Sequence, residues 1–201
     1  MRENRVHVVL LLTCALGCSW TWAQSAPSSV RAEVEEAVSR VKPSLVRIEV
    51  VSTEYSEGRE VKQESSGSGV IISKEGHVVT NHHVAGHAIH LNCTFANREE
   101  IAAELVGSDP LTDIAVIKLK PVVPREFPVA TFGDSAALQV GDEVLAMGSP
   151  MALSPSVTMG IVSNTEMIMP AWLRGWGDLK EDGEDVGALV KWLGHDSAIF
   201  G

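Results

Sequence analysis

Cysteine is scarce in this chain: there are three in 201 residues, and Cys14 and Cys18 both fall within the first 23. Cys93 alone remains beyond them, so no disulfide can form within residues 24–201 and stability has to come from packing. Aromatic residues make up only 5% of the composition. Frequent Val, Ile and Gly beside few aromatics suit short β-branched strands joined by tight turns better than a helical bundle. Basic residues are outnumbered, 16 Lys and Arg against 26 Asp and Glu, for a formal charge of −10. That balance argues against nucleic acid and against an anionic membrane surface, because phosphate binding needs clustered Lys and Arg. No apolar run approaches the roughly 20 residues that a membrane helix requires, so no membrane insertion of the mature chain is expected. What is present is a 45% apolar composition, enough for the core of one ordinary domain or of two small barrels sharing an interface.

The first 23 residues differ from the rest. Arg2 and Arg5 precede an apolar run from Val8 to Leu16, and Thr21-Trp22-Ala23 ends on a small residue. This is the pattern of a secretory signal peptide over 1–23, and it predicts a periplasmic or secreted protein. A lipoprotein reading would place the modified cysteine at Cys18, after Ala15-Leu16-Gly17, and fits more loosely. Asn92-Cys93-Thr94 formally matches a glycosylation acceptor but reads as ordinary strand sequence.

Residues 24–43 form a helical lead-in: Val30, Val34, Ala37, Val38 and Val41 recur at spacings of three and four, Ser28 or Ser29 can cap the start, and Pro43 stops propagation. Leu45–Val51 alternates as a half-buried strand should, opening a first β-barrel over 44–120. Residues 53–66 are charged and aperiodic, and read as a loop. The strand 69–73 turns back at Gly76 into His77–Thr80. Strands at 88–95, 101–106 and 114–119 follow, a spacing that suggests an antiparallel barrel. Lys120 to Glu126, with two prolines, reads as a link to a second set of strands starting near Val129.

Thr80-Asn81-His82-His83-Val84, taken with Thr112-Asp113-Ile114-Ala115-Val116, supplies what general-base chemistry requires: a histidine at the end of one apolar strand and an aspartate at the start of another. His82, His83, His87 and His90 also crowd together. His83 and His87 would share one face of a helix, as in a zinc site, but no glutamate base lies between them and Gly86 weakens any helix there.

The stretch Ser66 to Val84 resembles the trypsin-like serine proteases of the HtrA family. So do Thr112 to Leu119, Phe132-Gly133-Asp134-Ser135, Val140 to Pro150, Val157 to Ser163 and His195 to Gly201. The resemblance implies an all-β, trypsin-like double β-barrel with a short amino-terminal helix packed against the first barrel. The first barrel would be complete and the second, over 121–201, truncated. It implies an endopeptidase acting on unfolded or misfolded proteins or peptides, with His83 as general base and Asp113 orienting it, and with no cofactor and no metal. His82 stands where the family usually has a small residue, while His83, directly before Val84, matches the motif. Ser135 is followed by Ala136-Ala137 rather than by the glycines whose amides form an oxyanion hole, and His195 to Gly201 resembles the segment just before the family's Gly-Asn-Ser-Gly-Gly. The nucleophile is therefore expected beyond Gly201. The alternative is a catalytically inert barrel that binds peptides. A carboxy-terminal PDZ domain and a homo-trimer are common in the family, and neither is read from these residues. Between Met167 and Leu193 the sequence departs from the pattern, with Trp172, Trp176 and Trp192 among acidic residues. That insertion reads as a solvated surface segment lacking the ligand spacing of a calcium loop.

Overall fold

The computed structural model describes residues 29–56, 59–148, 156–168, 180–181, 184–185 and 190–199. The signal peptide expected over 1–23, Ser149, and most of the 167–193 insertion, including Trp172 and Trp176, lie outside the described residues. Helix α1 runs Ser29–Val41 and gives way to a 3-10 turn at Lys42–Ser44, where Pro43 removes the amide that a further turn would need. Among the described residues no helix is long and apolar enough to cross a membrane.

Six strands follow: β1 (Leu45–Ser56), β2 (Arg59–Ile71), β3 (His77–Thr80), β4 (Ala88–Phe95), β5 (Glu100–Asp109) and β6 (Ile114–Leu119). They close into a barrel in the order β1-β2-β3-β6-β5-β4, antiparallel at every seam. Alternation along each strand sends one set of side chains inward. Registers stack these in layers. Ile48 lies opposite Cys93, which lies opposite Ile101; Ile71 lies opposite Val78, and Val78 opposite Ile117. Ile48, Ile71, Val78, Cys93 and Ile117 are completely buried, and each aliphatic side chain so buried contributes about 1.5–3 kcal/mol.

The residues 53–66, expected to be a loop, instead form a long ribbon in which Thr53 pairs with Lys62 and Ser56 with Arg59. Its second strand is exposed from Arg59 to Ser66, so neither face is buried and no apolar period appears in the sequence.

Past β6 the chain crosses the end of the barrel without forming a strand. The Phe127 amide donates to Lys74 O (3.0 Å) and that of Ala130 to Ile71 O (3.0 Å). Phe127 is buried, stacked on Phe95 with ring centroids 6.0 Å apart. The guanidinium of Arg125 covers both rings and forms a two-pronged pair with Glu99 at 2.7 and 2.9 Å. Beneath Phe127 is Gly76, with φ +90°; a methyl there would come within 2.9 Å of the ring. The turn therefore uses both the left-handed backbone and the missing side chain.

The second half begins its strands at Glu143, not near Val129: residues 128–134 form no strand, although the Ala130 amide bonds to Ile71 O at the end of β2. β7 (Glu143–Gly148), β8 (Ser156–Met167) and, beyond two short strands β9 (Lys180–Glu181) and β10 (Glu184–Asp185) that pair only with each other, β11 (Trp192–His195) complete the order; the larger sheet runs β11-β8-β7. This is the partial second barrel. The position of α1 differs from expectation. Val30, Val34 and Ala37 line a cavity of about 340 Å³ together with Leu145, Met147 and Met159, so the helix turns its apolar stripe to the second sheet. Amphipathic spacing specifies a buried face but not the partner that buries it.

Candidate active site

β3 ends at Thr80, whose hydroxyl donates to Ser68 O on β2 (2.8 Å). Asn81 then leaves the strand with φ −86° and ψ 151°, and its carbonyl accepts the amides of Val84 and Ala85. A single helical turn, α2 (His82–Ala85), results. This turn throws the two adjacent histidines to different sides. His82 is 3% exposed, and its ring meets that of His87 edge-on at 5.2 Å. The His83 side chain is 51% exposed.

Asp113 arrives from the opposite direction, at the end of a tight turn. Its amide donates to Pro110 O (3.1 Å), and Asp109 holds the turn by accepting from the Leu111 amide (3.0 Å) and the Thr112 hydroxyl (2.9 Å). The turn leaves Asp113 at φ +56°, a left-handed conformation that Asp tolerates better than most side chains. Asp113 is 5% exposed. Its carboxylate has three donors: His83 Nδ1 at 2.9 Å from Oδ2, the His83 amide at 3.1 Å from Oδ1, and Asn81 Nδ2 at 3.0 Å from Oδ2. Its carbonyl accepts Asn81 Nδ2 and the His82 amide, both at 3.2 Å.

A buried carboxylate against Nδ1 favours the tautomer with the proton on Nδ1, and the other nitrogen, Nε2, is then left with its lone pair on a half-exposed ring. In this form the imidazole can take up a proton, and the carboxylate can stabilise the imidazolium that forms. Thus the structure brings together the two residues singled out from the sequence, while the ring of His82 is buried against that of His87. Asn81 had no role in the sequence reading; an Asn just ahead of a helical turn carries only the weaker signal of a helix cap.

Among the described residues no group of three or more His, Cys, Asp or Glu is arranged to hold a metal ion. Ser135 sits in an exposed 3-10 turn, Ser135–Ala137, capped by Asp134 through the Ala136 amide (3.0 Å), and no hydrogen bond joins it to His83. Ser163 is exposed on β8. Ser197 is buried and its hydroxyl donates to Val144 O (3.4 Å). Around it, the Ile161 amide donates to Asp196 Oδ1 (2.7 Å) and the Thr158 hydroxyl to Ala198 O (2.7 Å), which ties residues 196–198 to β8.

The chain is similar to known proteins over much of its length. A probable periplasmic serine endoprotease, DegP-like, from Pseudomonas putida (strain GB-1) is 43% identical over 112 residues, covering 56% of this chain and 23% of its own. One of the same description from Chlamydia trachomatis serovar D is 43% identical over 97 residues, covering 48% of this chain and 19% of its own. The chain thus spans about a quarter or less of the length of the curated relatives it matches. Among solved structures, an HtrA-type protease AlgW with a decapeptide superposes with a TM-score of 0.63 at 28% identity, covering 82% of this chain and 51% of that one. The same protease with a tripeptide gives 0.56 at 37% identity, covering 65% and 39%. The family profile described as trypsin-like peptidase domain matches residues 67–192, and the chain belongs to that family.

Proposed function

We propose that the chain is the base-and-acid portion of an exported serine endopeptidase of the HtrA kind that acts on unfolded proteins in the periplasm. The observation that carries this reading is the pairing of His83 Nδ1 with a buried Asp113 carboxylate at 2.9 Å while the rest of the ring stays accessible. His83 is the general base, taking the proton of a serine hydroxyl and returning it to the leaving amine, and Asp113 holds the ring and its tautomer. The endopeptidase names of the relatives support the reaction class, and the peptides bound to the AlgW structures support a peptide substrate. Residues 1–23 direct export, so the mature chain begins near Gln24. The 201 residues contain no Gly-Asn-Ser-Gly-Gly, and without a hydroxyl and oxyanion donors in reach an imidazole beside a carboxylate forms no acyl-enzyme.

The test has two arms. The 201-residue chain is expected to leave casein intact and to resist a fluorophosphonate probe. A form extended through the serine motif is expected to cleave casein, and His83→Ala or Asp113→Asn to lower that rate by roughly 10³ or more with the fold retained. Probe labelling of the 201-residue chain that Ser135→Ala abolishes would overturn the assignment. So would an extended form inactivated by His82→Ala and not by His83→Ala.

A further inference from the structure

Asn81 occupies the position from which a side chain ordinarily caps the helix that follows, yet it makes no side-chain cap to α2. Its carboxamide is turned the other way, and one nitrogen, Nδ2, donates to Asp113 twice: to Oδ2 at 3.0 Å and to the carbonyl at 3.2 Å. The two acceptors belong to a single residue held at φ +56°, so the contact restrains both its backbone and its side chain. It also lies on Oδ2, the oxygen nearest His83 Nδ1. Among the described residues the carboxylate's other donors are the His83 amide on Oδ1 and the His83 ring, so Asn81 is the one donor on Oδ2 that is independent of the ring this oxygen has to orient.

From this geometry we infer that Asn81 is a positioning residue for the proposed reaction: it holds the Asp113 carboxylate in the rotamer that selects the Nδ1–H tautomer of His83. This deepens the protease reading and rests on it for its catalytic meaning, but the structural relation is measurable without catalysis. The role is local. Asn81 reaches Asp113 across 32 positions in the sequence, and its side-chain bonds go to Asp113.

The experiment is nitrogen-15 NMR of the histidine rings in the 201-residue chain, with His83 assigned by His83→Gln and with thermal unfolding followed in parallel. In the parent chain neutral His83 should be mainly the Nδ1–H tautomer with a low-field Nδ1 proton signal, and Asp113→Asn should mark its complete loss. Asn81→Ala should raise the Nε2–H share severalfold and broaden or abolish the low-field signal while the folded state persists. Should Asn81→Ala not fold, Asn81→Asp keeps the shape and replaces the donor by an acceptor, and the same change is expected. A folded variant whose tautomer ratio equals that of the parent would overturn the inference. A shifted ratio, even if an extended form of the chain showed no proteolysis, would support the positioning and count against the protease reading alone.

Discussion

Gly86 lies against the ring of His82: a methyl at position 86 would come within 2.4 Å of both Cε1 and Nδ1. The one-turn helix that carries both histidines thus lays its own buried His82 ring against Gly86 and leaves no space for a side chain there. Gly86→Ala should destabilise the chain by about 1–3 kcal/mol, the usual cost of forcing an extra methyl into a packed site. In a His82→Ala background the penalty should shrink without vanishing, since the ring is gone while the main-chain oxygen of residue 82, 2.8 Å from the added methyl, remains. Chemical denaturation of the two single variants and the double variant measures this coupling. Equal penalties in both backgrounds would show that the ring is not the obstacle.

The Phe127 ring closes one end of the first barrel, so Phe127→Ala should cost about 3–5 kcal/mol, as buried Phe truncations do. The Arg125 pair above it is exposed and should behave differently. Hydrogen bonding from Arg125 holds the Glu99 carboxyl below the usual carboxylate range. A depressed folded value gives stability that is present above the unfolded pKa and is lost as pH falls through the folded one. The difference between the parent and Glu99→Gln should thus be seen near neutrality, vanish in acid, and weaken with added salt. A gap that widened in acid would contradict this assignment.

Cys93 is buried between Ile48 and Ile101, and burial pushes its thiol up to about 12. A native chain at pH 8 should react with a disulfide reagent only at the rate of unfolding, whereas the denatured chain reacts at once. Because the folded value is raised, the neutral thiol favours the folded state below the unfolded pKa, and this advantage declines as pH rises above it toward the folded value. Cys93→Ala should therefore remove part of the alkaline sensitivity. Rapid native labelling at pH 8 would contradict the burial.

Val157, Met159 and Ile161 project from one side of β8 and are 39%, 49% and 42% exposed. With Leu145 and Met147 on β7 they form an apolar face that α1 covers across an open cavity. The 201-residue chain should bind a hydrophobic dye and self-associate as concentration rises. Met159→Lys should reduce both effects without changing the unfolding of the first barrel. Dye fluorescence and sedimentation measure this, and an unchanged association constant would point to another surface.

Much of the first barrel could be read from the residues. Alternation in 45–51 and 114–119 marks strands because one face is buried, and the β4 bounds at 88 and 95 follow from the turn chemistry on either side. The 53–66 ribbon was not legible, since backbone pairing alone holds it and pairing has no compositional period. His83 and Asp113 could be recognised from their motifs, whereas the use of Asn81 depends on a rotamer. A residue that ordinarily caps its own helix and one that reaches to a neighbouring turn have the same letter.

The closed barrel also has a consequence in time. Every strand it needs lies between Leu45 and Leu119, and His83 and Asp113 both lie within that span. A chain that emerges amino terminus first, as from an export channel, presents all six of these strands before the second sheet is complete. The barrel can close, and the histidine can meet its aspartate, before the second sheet has been made. The proton acceptor and its orienting acid thus depend on no strand of the second sheet.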